Sequence, residues 1–426
     1  MNNNKDNNTA PKNILYVQHE LTRVGSSLSL YYLIKKLDRT KFNPVIVCSR
    51  KSDEMSALYE GLGIRIVIAS IPGYIHIRLS VSKLKEVLRA LRFLLLFPGA
   101  YLRLRKIIKE MNISLVHINS LALPEAAIAA KSLSVPVVWH IREVIAQGTF
   151  GIRKSLLERT INKCADEIIA ISNDEAHALK VKKKVTVINN TVDFSVFDRN
   201  VSGAGIRREF AISSETMCIG TIASVDPIKG VYEFIEAARI IRQRIDNVKF
   251  FIVGEQISKK GNKWLNSFFR IFRLEEDHLH KLKGRINDYD LGQYVFLTGV
   301  RNDVPSIIAA MDVIVCPYRL FAIGRPAIEG AAMGKPVVAA SLNPDNGIVI
   351  DKVTGLLFPP GDAERLAESI MELLKDKGKA KALGESALDH ARENFDATIN
   401  TEKIMKMYDN LLDMLHDHLQ GKGNAY

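Results

Sequence analysis

Short apolar runs alternate with amphipathic stretches along the whole chain. In the first half, runs rich in β-branched residues recur between segments long enough for helices, at residues 14–17, 45–48, 66–68, 115–118, 135–139, 167–171 and 185–188. Strands that are apolar throughout are typical of parallel sheets covered by helices on both faces. The pattern therefore predicts βαβ units and an α/β fold.

A second series of the same kind begins after a polar stretch near residue 200. Its apolar runs lie at residues 217–222, 250–254, 295–297, 312–316 and 336–339. Two parallel sheets of similar size predict two Rossmann-like lobes facing a cleft, with ligands at the carboxyl ends of the strands. We predict a disordered tail over residues 1–12, a first domain over 13–200, a second domain over 201–395 and a C-terminal helix over 396–426.

Composition and charge narrow the class of protein. The chain has 426 residues, of which 47% are hydrophobic and 25% charged, and this excludes disordered, collagen-like and disulfide-rich classes. The net charge of +12 is unevenly placed. Residues 1–200 hold 30 Lys/Arg against 17 Asp/Glu, whereas residues 201–426 hold 29 against 30. We therefore expect the two halves to meet different partners.

Cysteines and apolar stretches point to a soluble or membrane-peripheral protein. The four cysteines lie far apart, a pattern that favours reduced thiols and supports no zinc site. Residues 1–13 lack the apolar core of a signal peptide. The longest apolar run, residues 93–102, is about half as long as a membrane-spanning helix requires. We expect no bound metal and no cofactor.

The most informative stretch runs from residue 312 to 340. A buried strand ends at Cys316, a loop reaches Gly324, and Pro326 stands where helices favour proline at their first position. The free N–H groups of such a helix start can hold an anion. Glu329 follows among small apolar residues, so its carboxylate should accept hydrogen bonds, for example from ribose hydroxyls, or else be stabilised by the helix dipole alone.

Two other nucleotide-binding patterns are not met. The segment GAAMGKP at residues 330–336 has three residues between its glycines and a proline where a P-loop needs Ser or Thr. No G-x-G-x-x-G follows the first strand, so a dinucleotide oxidoreductase has little support. Gly25, followed by Ser26, suits close approach of a ligand to a helix start, or is a simple loop glycine.

Five segments carry recognisable motifs: IEGAAMGKPVV at 328–338, TGLLFPPGD at 354–362, DPIKG at 226–230, VWHIRE at 138–143 and ADEIIAIS at 165–172. They resemble glycosyltransferase family 4, whose members are retaining enzymes with the two-lobed GT-B fold. Together they span most of the chain. The resemblance implies a first lobe that binds the acceptor, a second lobe that binds the nucleotide sugar and a C-terminal helix that crosses back to the first lobe.

The resemblance also implies roles for individual residues. Lys229 matches the lysine that neutralises the donor diphosphate, and Glu329 matches the carboxylate that holds the nucleotide ribose. His140 matches the histidine near the donor sugar and the acceptor. Gly25 and Ser26 match the glycine-rich turn of the donor site, with Ser26 in place of the usual second glycine. The expected catalytic residues are thus His140 and Lys229.

Three positions depart from the family's pattern. The arginine that accompanies the lysine on the diphosphate falls at Ser224, and the first glutamate of the P-S-x-x-E-x-F-G loop falls at Phe321. The G-G-x-x-E stretch appears without its glutamate, at Gly347. Arg325, in the loop that also holds Gly324, is the candidate for the missing positive charge, since losing such a charge lowers the rate about a hundredfold or more.

A basic segment in the first half suggests a membrane partner. Residues 78–109 carry nine Lys/Arg and one acidic residue, Glu86, in two leucine-rich amphipathic stretches broken at Pro98 and Gly99. Such a helix either lies in an anionic membrane interface or packs on the core with a solvated basic back. A second cluster, at residues 259–273, is predicted to be a lid or a second membrane contact. No nucleic-acid-binding module is visible, and no nucleic acid partner is expected.

These observations predict a cytoplasmic glycosyltransferase, peripheral on the inner face of the plasma membrane. It would move a hexose from a UDP- or GDP-sugar to a lipid-linked or cell-surface polysaccharide acceptor, with retention of configuration and without a metal. Two alternatives remain open. One is a catalytically impaired member that acts as a binding or scaffold subunit, and the other is a nucleotide-sugar epimerase or hydrolase.

Overall fold

The computed structural model describes residues 10–22, 25–73, 83–143, 152–254, 277–319 and 324–423, with side chains except those of 83–89 and 415–423. The chain forms two compact units, one of Met1–Thr191 with Ala397–Tyr426 and the other of Val192–Asp396. Both are α/β, with helices packed on parallel sheets. The predicted two-lobed α/β class is confirmed.

The first unit is built on a seven-stranded parallel sheet with the order β5-β3-β1-β6-β7-β8-β9. These strands are β1 (Lys12–Val17), β3 (Phe42–Cys48), β5 (Arg65–Ile68), β6 (Ile113–Ile118), β7 (Val137–Ile141), β8 (Glu167–Ala170) and β9 (Val185–Val187). All seven coincide with apolar runs, because a strand buried on both faces does not alternate between apolar and polar residues. A separate parallel pair joins β2 (Glu20–Leu21) and β4 (Arg50–Lys51).

Helices cover both faces of this sheet. They are α1 (Gly25–Lys35), α2 (Asp53–Glu60), α3 (Lys83–Glu110), α4 (Pro124–Lys131), α5 (Ile152–Cys164), α6 (Asn173–Ala178) and, at the C-terminal end of the chain, α14 (Ala397–Gly423). Ile404 and Tyr408 of α14 are buried in the same apolar cluster as Ile14 and Tyr16 of β1. The last helix therefore completes the core of the first unit.

Helix α3 is continuous, whereas the sequence predicted a break at Pro98 and Gly99. A proline inside a helix removes one backbone hydrogen bond and costs roughly 3 kcal/mol. The carbonyl that it leaves free belongs to Leu94, which is exposed, so water can reach it. Ala100, Leu104 and Ile108 are buried, and their packing stabilises the helix across the proline.

The second unit is built on a six-stranded parallel sheet with the order β12-β11-β10-β13-β14-β15. Its strands are β10 (Met217–Ile222), β11 (Val248–Val253), β12 (Val295–Gly299), β13 (Val313–Cys316), β14 (Val337–Ala340) and β15 (Leu356–Phe358). Its helices are α7 (Ala204–Glu209), α8 (Val231–Arg242), α9 (His278–Asp288), α10 (Val304–Ala310), α11 (Arg325–Ala332), α12 (Ala363–Lys375) and α13 (Lys377–Asn394), with a 3-10 turn at Pro227–Lys229. The first five strands coincide with apolar runs.

The division between the units falls before residue 200. The N–H of Val192 donates to the carbonyl of Phe395 at 2.8 Å, and Val192 and Phe197 are buried in a core cluster of the second unit. This segment therefore packs with the second unit. Near the N-terminus, Lys12 is already paired with Phe42 in the first sheet. The predicted tail over residues 1–12 therefore ends before Lys12.

Several predictions fall outside the described residues. These are the tail over residues 1–9, the start of the basic segment at 78–82, the cluster at 259–273 and Phe321. Within the ranges given above, no helix is long and apolar enough to cross a membrane.

Candidate active site

The turn that carries Lys229 is held against the loop that follows the neighbouring strand, β13. Asp226 caps the turn, and its Oδ1 accepts a hydrogen bond from the N–H of Ile228 at 3.0 Å. Gly230 comes next with φ +69°, and a Cβ there would lie 1.6 Å from the carbonyl oxygen of Pro317. Only glycine fits both this backbone conformation and this close approach, so Lys229 is placed beside the end of β13.

The amino group of Lys229 lies on an aromatic ring. Its Nζ is 4.2 Å from the centre of the Tyr318 ring, and Tyr318 is buried with its hydroxyl donating to the carbonyl of Ile222 at 3.4 Å. Burial lowers the pKa of Lys229, and the carboxylate of Asp226 opposes this shift. A lysine oriented by an aromatic ring at the carboxyl ends of two strands is suited to neutralising a phosphate group.

The start of helix α11 touches the same ring. A Cβ at Gly324 would lie 2.3 Å from a ring carbon of Tyr318, so this position requires glycine for steric reasons. Pro326 stands in the first turn, as predicted from the sequence. The free N–H groups of this helix start and the cation of Lys229 therefore both lie close to Tyr318. Together they offer positive charge to an anion.

Arg325 and Glu329 form a buried ion pair one turn apart on α11. Nε of Arg325 donates to Oε1 of Glu329 at 3.0 Å, and each side chain is 8% exposed. The sequence led us to expect Arg325 as a cation for the diphosphate and Glu329 as an acceptor for ribose or a dipole-stabilised acid. In the structure, the guanidinium of Arg325 has the carboxylate of Glu329 as a partner. The two charges largely cancel within the helix.

Arg319 is a second cation near the Lys229 turn, and the sequence reasoning missed it. Its N–H donates to the carbonyl of Ile228 at 2.9 Å. Its Nε donates to Oε1 of the buried Glu233 at 2.6 Å, while the arginine side chain is 54% exposed. Ser224, where the family's arginine would stand, offers no charge. The signal that could have revealed Arg319 is its place three residues after the end of a buried strand.

His140 lies at the carboxyl end of β7 in the first unit. Its Nδ1 is 3.2 Å from Nε2 of His117 and 3.5 Å from Nη2 of Arg142. Its Nε2 is buried without a hydrogen-bond partner among the described residues. Burial, together with the charge of Arg142, holds the pKa of His140 well below its ordinary value. The ring is therefore neutral near pH 7, so it can offer a ligand a hydrogen bond but no charge.

Gly25 and Ser26 begin helix α1 and join the hydrogen-bond network around His140. The carbonyl of Ser26 accepts from Nδ2 of Asn119 at 3.3 Å, and Oδ1 of Asn119 accepts from Nε of Arg142 at 2.6 Å. The helix start is thereby tied to the guanidinium that contacts His140. Neither Asn119 nor Arg142 was predicted as a site residue.

The predicted residues thus fall into two sets at strand ends, one in each unit. The first unit brings together Gly25, Ser26 and His140, and the second brings together Lys229, Gly324, Arg325 and Glu329. Two α/β units with parallel sheets define a two-lobed α/β protein of the GT-B class.

Comparison with known proteins gives the family. The model of Glycosyltransferase Family 4 matches residues 24–196, and the model of Glycosyl transferases group 1 matches residues 205–390. The two matches follow one another and cover most of both units. The chain belongs to glycosyltransferase family 4, a family of enzymes, as its motifs predicted.

The chain is similar to the capsular polysaccharide biosynthesis glycosyltransferase CapM of Staphylococcus aureus, with 24% identity over 60% of this chain and 65% of CapM. It is also similar to the UDP-Gal:alpha-D-GlcNAc-diphosphoundecaprenol alpha-1,3-galactosyltransferase of Escherichia coli, with 23% identity over 72% of this chain and 77% of that protein. The match spans about half the length of two further curated relatives.

A solved structure agrees with the fold. HepE of Anabaena, crystallised in complex with UDP, superposes with a TM-score of 0.75 at 20% identity, covering 93% of this chain and 100% of HepE. At this identity the likeness establishes the fold alone.

Proposed function

We propose that this protein transfers a hexose from a nucleotide-diphosphate sugar to a lipid-linked or polysaccharide acceptor, with retention of configuration. The observation that carries the proposal is the Tyr318 ring, which contacts both Lys229 and the start of α11. A lysine and a helix start are groups that bind a diphosphate. The names of CapM and of the Escherichia coli galactosyltransferase support a polysaccharide or a lipid-diphosphate acceptor.

We assign each residue a role in this proposal. Lys229 stabilises the charge that develops on the leaving diphosphate, assisted by the N–H groups of α11. Glu329, paired with Arg325, accepts hydrogen bonds from the ribose. The leaving phosphate assists attack on the same face of the sugar, so the proposal includes no protein nucleophile and no metal. His140 offers a neutral hydrogen bond near the transferred sugar.

The test combines nucleotide binding with turnover. Purified protein is incubated with UDP-, GDP- and ADP-sugars, and its melting temperature and nucleotide release are measured with and without a lipid-linked acceptor. One nucleotide sugar should raise the melting temperature, and the acceptor should trigger release. Stabilisation without any release favours the scaffold alternative. If no nucleotide sugar stabilises the protein, the proposed donor site is wrong.

A lysine pair gives a matched control. Lys229→Met should lower kcat/KM about a hundredfold, because it removes one preorganised charge from the leaving group. Lys249 also lies over a tyrosine ring of the second unit, with Nζ 5.0 Å from the centre of Tyr294, but it is outside the site. Lys249→Met should keep kcat/KM within twofold, and an equal loss in both variants would contradict the role of Lys229.

We further propose that helix α3 rests on an anionic membrane surface. Its buried residues, Ala100, Leu104 and Ile108, form one face of the helix. The opposite face is exposed and carries both leucines and cations, at Leu91, Leu94, Leu95, Leu102, Lys106 and Lys109. An exposed leucine row beside basic residues is typical of helices in the interface of anionic membranes.

Cosedimentation with vesicles tests the membrane contact. Binding to vesicles containing phosphatidylglycerol should be strong at low salt and weak at high salt. Leu95, which is 81% exposed, is changed to Gln, and Leu342 of the second unit, 71% exposed, is changed to Gln as the control. We expect Leu95→Gln to weaken binding about tenfold, since it removes about one buried leucine from the interface, and Leu342→Gln to have no effect. Equal binding to neutral vesicles would refute the proposal.

A further inference from the structure

A chain of buried side chains links the C-terminal helix to His140. The hydroxyl of Tyr408, on α14, lies 2.6 Å from Nδ1 of His117, on β6. The other ring nitrogen of His117, Nε2, lies 3.2 Å from Nδ1 of His140. Tyr408, His117 and His140 are all buried. In such surroundings each polar atom is fixed as a donor or as an acceptor, because water cannot compensate an unpaired buried group.

Arg142 and Tyr408 favour the same direction for these hydrogen bonds. A guanidinium only donates, and Nη2 of Arg142 lies 3.5 Å from Nδ1 of His140. That nitrogen is therefore the acceptor, and His117 donates to it from Nε2. The opposite arrangement would turn an N–H of His140 toward the guanidinium, which is unfavourable for two donors beside a positive charge.

The same logic fixes the role of Tyr408. Burial lowers the pKa of His117 to about 3, so its ring is neutral, and with Nε2 protonated its Nδ1 is bare. The single hydroxyl proton of Tyr408 can go to His117 at 2.6 Å or to the hydroxyl of Tyr16 at 3.2 Å. The shorter contact and the lone pair of Nδ1 favour His117.

We propose that Tyr408 and His117 are positioning residues that hold His140 in the tautomer with the proton on Nε2. This N–H is buried and has no hydrogen-bond partner among the residues that the structure describes. A buried donor without a partner gains a hydrogen bond when an oxygen of the bound nucleotide sugar or acceptor reaches it. The inference rests on the proposed function, which places His140 near the transferred sugar.

The tautomer can be read directly, without activity. Long-range 1H–15N spectra of protein labelled at histidine distinguish the two neutral tautomers, and loss of a signal in His140→Gln assigns that residue. We expect the Nε2–H form in the native protein and a partial shift toward the Nδ1–H form in Tyr408→Phe, which removes only the hydroxyl and leaves Arg142 in place. Tyr16→Phe removes a hydroxyl from the same cluster and should leave the tautomer unchanged. His117→Gln retains an amide donor and should preserve the Nε2–H form.

Turnover shows whether the tautomer matters. Tyr408→Phe should lower kcat about tenfold, equivalent to about 1.4 kcal/mol, with the KM for the donor within twofold, whereas Tyr16→Phe should keep kcat. The proposal is overturned by an Nδ1–H form in the native protein, by an unchanged tautomer in Tyr408→Phe, or by a changed tautomer with unchanged kcat. If the native protein transfers no sugar, the proposed function fails, while the spectra still decide the hydrogen-bond chain.

Discussion

Replacing Gly230 with alanine tests whether contact with Pro317 holds the Lys229 turn. The backbone at Gly230 has φ +69°, a conformation that costs an L-residue about 1–2 kcal/mol. The added Cβ would also lie 1.6 Å from the carbonyl oxygen of Pro317. This overlap forces a backbone shift, for which overpacked sites suggest a further 1–3 kcal/mol. Gly230→Ala should therefore lose about 2–5 kcal/mol of unfolding free energy.

Gly299 separates the two contributions. It has the same φ of +69°, but a Cβ there would meet nothing within 4 Å. Gly299→Ala should therefore lose only the conformational part, about 1–2 kcal/mol. Urea unfolding followed by circular dichroism measures both losses, and the rise in melting temperature with UDP reports whether Lys229 stays in place. If the two variants lose equal stability and both keep the response to UDP, contact with Pro317 does not hold the turn.

Two further predictions concern buried charges. Arg325→Met should lower the unfolding free energy by about 3–5 kcal/mol, because it leaves the buried Glu329 carboxylate without this guanidinium. The double variant Arg325→Met/Glu329→Gln should lose less unfolding free energy in the same urea titration. An equal loss in the two variants would contradict the pairing. Burial raises the pKa of Glu125 to about 7 from 4.5, so stability should fall by up to about 3 kcal/mol as pH rises from about 4.5 past 7, because the unfolded chain releases this proton first. Glu125→Gln keeps an acceptor for the N–H of Gly73 and should remove the fall in unfolding free energy between pH 5 and 8. If the native protein and Glu125→Gln gave parallel curves of stability against pH, the fall would not come from Glu125.

The strands were predictable where they are buried on both faces. Apolar runs located β1 and β13 within a few residues, because a central parallel strand is apolar along its whole length. The three-residue edge strand Leu356–Phe358 was not predicted, although the equally short edge strand Val185–Val187 was, because valine and threonine favour strands more clearly than leucine does. Glu20–Leu21 and Arg50–Lys51 were not predicted either, because two residues carry too little pattern. The predicted helix break at Pro98 was wrong, because tertiary packing of the flanking residues outweighed the free-energy cost of a proline inside a helix.

The candidate site residues were predicted either from the family resemblance, as for Lys229, or from a strand end followed by a helix start, as for Gly324. Lys229 and Gly324 each follow a strand of the second sheet, and the parallel topology brings such positions to one edge. The pairing of Arg325 with Glu329 could have been inferred, since residues four apart on a helix are neighbours. The contact between Tyr408 and His117 could not, because 291 positions separate them and no local pattern connects them.

The first unit consists of two pieces of chain, with the whole of Val192–Asp396 made between them. At roughly 5–20 residues per second, a ribosome needs about 10–40 s to synthesise that middle segment. During this interval the apolar surface around Ile14 and Tyr16 has no partner from α14. The unit that starts first is therefore finished last. In a cell, chaperones bind exposed apolar surface of this kind. A truncated chain that ends before Ile404 would leave this surface permanently exposed.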